Sequence, residues 1–510
     1  MPRFVRTSST LGRRVCVIGA GVSGLVTAKV LRADGFAVTV FEMGNDIGGT
    51  WARSRTYPGL RANNSRSSYA FSDFSYAPTT DEFPTAEQVH AYLCSYVDAF
   101  SLAPHIVLGT QVTNVSAGAT AGAPLSVHTR CAGVAAAPEF DHVVVCNGVF
   151  AVPAMPVIDG RDAFAGAVVH SSELTDLDLA DGKRVVVVGA GKSALDCAAA
   201  VAPRARSCTL VFRAPHWMVP RYFPGGVPAD RVLLSRLTEL LLPPYHTRGA
   251  VTRLLHRCGA PALRALWRMQ SRRIGDLLDL PPDLRPAQPL PAGIESVGVD
   301  DGFGALVRSG AVRAKRTGVA AFGRRSVVLD GGEHVDAELV VFATGWTQDA
   351  SFLGDSLREQ VVRGGRYHLY RHILPPSERR VGFVGYASSA ACPLTSEIAA
   401  HWLSQCFLGG IPLPSRVEMD AEIARVLGWS RRTFPSRAEG VFIGPYVPSY
   451  VDQLLGDMGL RTKRSPMSLV GEYTEPVWPQ RYRSVADERR QRRASLRQAS
   501  APEHRRGIQA

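Results

Sequence analysis

Two glycine-rich turns, each set between an apolar run and a helix-like stretch, constrain this 510-residue chain more than any other feature. The first is Gly19-Ala20-Gly21-Val22-Ser23-Gly24 and the second is Gly189-Ala190-Gly191-Lys192-Ser193-Ala194. The runs before them, Arg14–Ile18 and Arg184–Val188, read as buried strands, and residues 23–33 and 193–201 read as the helices that follow. In that setting a glycine-rich turn is a dinucleotide fingerprint. Its glycines let the backbone turn sharply and approach a pyrophosphate, whose charge is favoured at the helix N-terminus.

The two copies differ at the end of the next strand. After the first fingerprint the strand is residues 37–41, and Glu42 closes it, 23 residues beyond Gly19. A carboxylate there accepts hydrogen bonds from a ribose hydroxyl pair. After the second the strand is residues 208–212, and Arg213 closes it, 24 residues beyond Gly189. A guanidinium suits a 2′-phosphate that a carboxylate would repel. One chain is therefore expected to hold two different dinucleotides. The second reads as NADP. The first is then most simply FAD, since two nicotinamide sites in one enzyme would have nothing to exchange.

The length suggests two to four domains, and an apolar content of 45% is ample for their cores. No run of about 18 apolar residues occurs, so no membrane-spanning helix is expected. The basic start, residues 1–13, leads straight into a nucleotide-binding strand and not into a secretory signal. Nine scattered cysteines without a CxxC pair predict a reduced, cytoplasmic protein with no dithiol centre and no structural zinc. Of the net charge of +13, a balance of +6 lies in residues 481–510, which carry nine arginines against Asp487, Glu488 and Glu503. This tail is expected to be a solvated, disordered extension with one helix over residues 485–498, since no base-reading or aromatic pattern accompanies the charge to suggest nucleic acid.

The fold class expected is α/β, with two Rossmann-like dinucleotide-binding domains, the NADP domain inserted in the FAD domain. Residues 14–155 form the first part of the FAD domain and residues 156–335 the NADP domain. Within the latter, residues 232–280 are an arginine-rich helical insertion read as a lid over a substrate cavity, with a peripheral membrane contact as its alternative. The strand ending in Ala343-Thr344-Gly345 is expected to return the chain to the FAD domain, whose second part, with a substrate region, runs through residues 336–480. A helix from about Leu394 is expected to aim its N-terminus at the flavin.

These motifs resemble those of the class B flavoprotein monooxygenases, the flavin-containing monooxygenases and their Baeyer–Villiger relatives, from residue 14 to about 405. Both fingerprints match, as do Gly48-Gly49-Thr50-Trp51 and the Ala343-Thr344-Gly345 turn. Phe164-Ala165-Gly166-Ala167-Val168-Val169-His170-Ser171-Ser172-Glu173-Leu174 is similar to the family's FxGxxxHxxx(Y/F/W) signature, except that Leu174 stands where the aromatic residue would be. Asn63, ten residues before Asp73, matches the asparagine beside the flavin in flavin-containing monooxygenases, and Lys192-Ser193-Ala194 is similar to plant and microbial members. The resemblance implies that NADPH reduces FAD, that dioxygen is held as a C4a-peroxyflavin, and that one oxygen atom enters a small organic substrate at nitrogen or sulfur. Baeyer–Villiger oxidation of a ketone is the alternative, and a non-catalytic redox sensor is the remote one.

The candidate cofactor residues are thus Gly19, Gly21, Ser23, Gly24, Glu42, Gly49, Thr50, Trp51 and Asn63 for FAD. For NADPH they are Gly189, Gly191, Lys192, Ser193, Ala194 and Arg213, with Thr344 and Gly345 at the shared turn. Asn63 is the candidate catalytic residue and Asn64 its register-shifted rival. His170 reads as a hydrogen-bonded linker between the domains and not as a base. No His, Cys or carboxylate cluster suggests a metal. Oligomeric state is not encoded in any readable motif.

Overall fold

The computed structural model describes residues 13–117, 123–247, 249–300, 302–437, 439–465 and 468–499. Two five-stranded parallel sheets organise it. The first runs in the spatial order Val381–Phe383, His142–Val145, Arg14–Ile18, Ala37–Phe41, Ile106–Val107. The second runs Ala167–His170, Leu339–Phe342, Arg184–Val188, Ser207–Phe212, Val312–Arg316. The central strands of each sheet are near-continuous apolar runs because both faces are covered, one by helices and the other by an antiparallel sheet. In each, the fingerprint strand lies where the strand order reverses, the place at which doubly wound sheets open a crevice.

Both fingerprints fold as the sequence predicts. Helices Val22–Ala33 and Lys192–Val201 begin immediately after the middle glycines. The turns are near copies: Gly19 N–H donates to Phe41 O at 2.8 Å and Gly189 N–H donates to Val211 O at 2.9 Å. Helix Ala86–Ala99 is started by a capping box in which Thr85 and Gln88 satisfy each other's backbone amides.

Three expectations are corrected. Residues 107–113 read from the sequence as one strand, but they contribute to two strands in two sheets. Ile106–Val107 ends the first parallel sheet, and Thr110–Ser116 starts an antiparallel meander with Leu125–Cys131. Gly109, at φ +61°, makes the corner between them.

The domain boundary at residue 336 also moves. Leu339–Phe342 does not return to the first sheet but sits inside the second, hydrogen-bonded between Ala167–His170 and Arg184–Val188. An apolar run buried on both faces reads the same in either parallel sheet, so its sequence could not name its partners. The return comes after Trp346–Thr347, which pairs antiparallel with Val152–Pro153. The two chain crossings between modules are therefore zipped into one ribbon.

The basic tail is ordered at its start. Helix Val485–Ala499 buries Val485 and Arg489, and Arg489 pairs with the buried Asp34 at 2.7 Å. Arg464 pairs with Glu488 at 2.9 Å. Composition suggested a solvated extension because it cannot reveal that Asp34, at the far end of the chain, supplies the counter-charge. Residues 500–510 of the tail lie outside the described residues.

The insertion is helical as expected, with helices Ala229–Leu233, Arg236–Leu241, Ala250–Cys258 and Ala260–Leu277. It packs on the C-terminal region. Arg236 makes a two-pronged contact with Asp452 at 2.6 and 2.7 Å and reaches Glu472 at 2.7 Å, while Trp429 and Tyr446 donate to Pro244 O and Pro243 O.

Candidate functional site: two nucleotide crevices and the ribbon between them

In the first crevice the backbone leaves no room for side chains. A Cβ on Gly24 would lie 1.8 Å from Gly19 O, and one on Gly19, at φ +103°, would lie 2.7 Å from Cys146 O. Gly48 N–H donates to Ala20 O at 2.9 Å, bringing the Gly48-Gly49-Thr50-Trp51 turn against the fingerprint. Glu42 ends its strand half-buried. Its two oxygens accept from Ala20 N–H and Gly44 N–H, each at 2.8 Å, which aims the carboxylate along the crevice. Each oxygen keeps a second lone pair for a ligand hydroxyl. A cleft of about 550 Å³ opens there, lined by Glu42, Gly44, Gly49, Ser54 and Arg55 among others. Close backbone, a free helix start and an aimed carboxylate fit the ribose and pyrophosphate of a dinucleotide such as FAD.

Ser23 Oγ lies 2.9 Å from Ser396 Oγ, so helix Cys392–Phe407 starts beside the fingerprint helix. Thr50 is exposed at the turn. Trp51 is buried, donates to Tyr69 OH at 2.9 Å and packs edge-on to that ring, as a core tryptophan does. Asn63 is the one exposed residue in 61–70, whereas Asn64 is buried and donates to Ala390 O at 2.8 Å.

In the second crevice Gly189, at φ +142°, would place a Cβ 2.4 Å from Ala343 O, and Ala194 packs fully buried against that glycine. Gly191 meets only the His216 ring, at 3.7 Å, so its backbone face stays approachable. Arg213 stands exposed at the strand end with no hydrogen bond or ion pair to the described residues, a cation available to an incoming phosphate. Lys192 differs: it is ion-paired with Asp196 one turn along its own helix. Ser193 Oγ lies 3.4 Å from the Tyr57 hydroxyl.

His170, Thr344 and Gly345 meet at the ribbon. His170 is fully buried; its Nε2–H donates to Gly345 O at 3.1 Å and its Nδ1 accepts from Ser172 N–H at 3.2 Å. Burial lowers its pKa, partly offset by the Gly345 carbonyl, and its two backbone contacts fix the ring in one tautomer. Thr344 Oγ1 donates to Ala154 O at 2.6 Å, and Ala154 N–H donates to Gly345 O at 3.0 Å. Thr344 Oγ1 and Gly345 O are thus engaged in joining the modules, beside the second fingerprint. Upstream, Phe164 packs on Phe322, and a Cβ on Gly166 would strike both Glu338 O and the Phe164 ring. Leu174 is fully buried in the core of the second module.

A profile of the flavin-binding monooxygenase-like family matches residues 12–256 and 291–470. The chain belongs to that family. It is 29% identical over 533 residues, 93% of this chain and 97% of the relative, to "Probable flavin-containing monooxygenase 1" of Arabidopsis thaliana. Its fold is similar to that of the S-allyl-L-cysteine S-oxygenase from Allium sativum, with a TM-score of 0.62 and 22% identity over 96% of this chain and 95% of the other. It is also similar to cyclohexanone-bound cyclohexanone monooxygenase, with a TM-score of 0.69 and 19% identity over 89% of this chain and 99% of the other. The flavin-binding monooxygenases are NADPH-dependent enzymes, and FAD and NADPH are the cofactors of this chain.

Several residues at this site carried no signal in the sequence. Tyr57, Arg221 and Asp230 make the contacts between modules that surround Asn63 and the second fingerprint, yet each lies in an irregular or inserted segment without a motif. Among the described residues no group of side chains could hold a metal ion, and no helix is long and apolar enough to cross a membrane.

Proposed function

We propose that this enzyme transfers one oxygen atom of dioxygen to a nitrogen or sulfur atom of a small organic substrate, with the second oxygen leaving as water and NADPH supplying two electrons. The observation that carries the reading is the pair of crevices in one chain. One ends in a carboxylate aimed by two backbone amides, the other in an exposed guanidinium, and a hydrogen-bonded ribbon holds them together.

Bound FAD supplies the redox and oxygen-activating chemistry. The chain's own residues bind, orient and exclude water. Glu42 takes the ribose hydroxyls of FAD, and Gly19, Gly21 and Gly24 admit its pyrophosphate to the helix start. Gly189, Gly191 and Ser193 do the same for NADPH, with Arg213 holding the 2′-phosphate. Asn63, alone in projecting from a buried run, offers an amide that both donates and accepts hydrogen bonds beside the reacting centre. His170 acts as a linker, keeping the ribbon closed through its Nε2–H bond to Gly345 O. The insertion walls the site as a packed layer over the Asn63 segment. The nine free cysteines suit a reducing compartment such as the cytoplasm.

Leu174 at the position of the signature's aromatic residue favours nitrogen or sulfur oxygenation. The likeness in fold to cyclohexanone monooxygenase supports the ketone reading as the second possibility. Product analysis with paired amine, sulfide and ketone substrates tests the choice. N-oxide or S-oxide formation is expected; ester as the sole product would contradict the proposal.

A further inference from the structure

The segment around Asn63 is gripped from the inserted module. Arg221 Nη1 donates to Ala62 O at 2.9 Å. Asp230, in the helix Ala229–Leu233 that leads into the insertion and 4% exposed, gathers three donors on one oxygen. Its Oδ2 accepts from Ser65 N–H at 3.0 Å, from Ser65 Oγ at 2.6 Å and from Ser68 Oγ. On the opposite side Asn64 is fixed to Ala390 O. Ala62, Asn64 and Ser65 are all buried, so the backbone on both sides of Asn63 is held while Asn63 itself projects.

The arrangement is costly as a mere brace. Asp230 Oδ1 is buried without a hydrogen-bond partner, and an unsatisfied buried carboxylate oxygen weakens a fold. A neutral side chain would join the two modules more cheaply. What a carboxylate adds is a strong, directional grip on several donors at once. That grip falls two residues after the candidate catalytic asparagine and comes from the module that carries the nicotinamide crevice.

We infer that Asp230, assisted by Arg221, is a positioning residue that fixes the Asn63 segment from the NADP-binding module, so that Asn63 is correctly aimed only when the two modules are docked. The inference rests on the proposed role of Asn63. Without Asp230 the modules still bind both nucleotides, since neither crevice uses it, but reducing equivalents escape to hydrogen peroxide because the segment wanders.

The test uses FAD-loaded full-length protein with Asp230→Ala, Asp230→Asn, Ser68→Ala and Asn63→Ala. Hydrogen exchange is read at peptides covering residues 60–70, where the Ser65 amide reports the contact directly. Asp230→Ala should speed exchange there roughly tenfold or more and raise the peroxide formed per NADPH several-fold, with KM for NADPH within about twofold of the parent. Asp230→Asn, which keeps an acceptor oxygen, and Ser68→Ala, which removes one donor, should fall between. If Asp230→Ala does not fold, these two variants decide the matter by the same readings. Unchanged exchange at Ser65, or faster exchange with full coupling, overturns the inference. Full coupling in Asn63→Ala would instead overturn the role of Asn63, and the exchange reading would still stand or fall by itself.

Discussion

The Tyr57 hydroxyl donates to Asp196 Oδ2 at 3.0 Å, and the other oxygen of Asp196 is ion-paired with Lys192 of the second fingerprint. Tyr57 comes from the first module, yet its ring is buried in the apolar core of the second. Burial raises its pKa well above the ordinary tyrosine value, so it stays a donor at any working pH. Tyr57→Phe keeps the ring and loses one hydrogen bond to a charged group, worth roughly 1.5–3 kcal/mol. Thermal unfolding should begin a few degrees lower with FAD content unchanged; an unaltered melting profile would show that the contact contributes nothing.

Among the described residues Arg213 has no hydrogen-bond or ion-pair partner, so its removal reports chiefly on the ligand. Arg213→Ala should raise KM for NADPH by about ten- to a hundredfold and leave KM for NADH nearly unchanged, the expected cost of a charge-assisted phosphate contact. Steady-state kinetics with both coenzymes checks this. Equal effects would place the 2′-phosphate elsewhere.

Glu42 does two things at once, bracing Ala20 and Gly44 and facing the cleft. Glu42→Ala should weaken FAD retention by roughly tenfold or more, through the lost ribose contact and the loosened turn. Dialysis followed by flavin absorbance measures it. Retention equal to the parent would argue against ribose binding there.

Glu397 gives a pH-dependent prediction. Its carboxyl is 1% exposed and accepts from Ser72 N–H and Oγ at 2.7 and 2.8 Å. Burial pushes its pKa from 4.5 up to about 7, against the pull of Lys29. Between those values the folded protein keeps a proton that the unfolded chain releases, so this group's contribution to stability falls as pH rises from 4.5 to about 7 and is level above. The slope is at most about 1.4 kcal/mol per pH unit. Glu397→Gln removes it, so the melting temperature of the variant should gain on the parent across that window. A constant difference would show that Glu397 ionises normally.

The fingerprints, both strand-ending residues and the insertion were legible because each is a local pattern. Glycines mark tight turns, periodicity marks strands and helices, and Glu42 and Arg213 stand at a fixed spacing from their turns. Partners were not legible. Leu339–Phe342 reads as a buried strand but does not say in which sheet. Arg489 reads as one more tail charge until Asp34 is found against it. Lys192 reads as a phosphate ligand, yet Asp196, one turn on, already holds it. Asp230 and Tyr57 join segments far apart in sequence, and a single polar residue in an irregular stretch carries no mark of what it will touch.

The account stands on a flavin and a phosphorylated nicotinamide meeting across the ribbon. Anaerobic titration of FAD-loaded protein with NADPH addresses that directly. The oxidised-flavin colour should bleach in step with one equivalent of NADPH, and admitting air with substrate should restore it with one oxygen molecule consumed per NADPH. Flavin that stays oxidised in the presence of bound NADPH would contradict it.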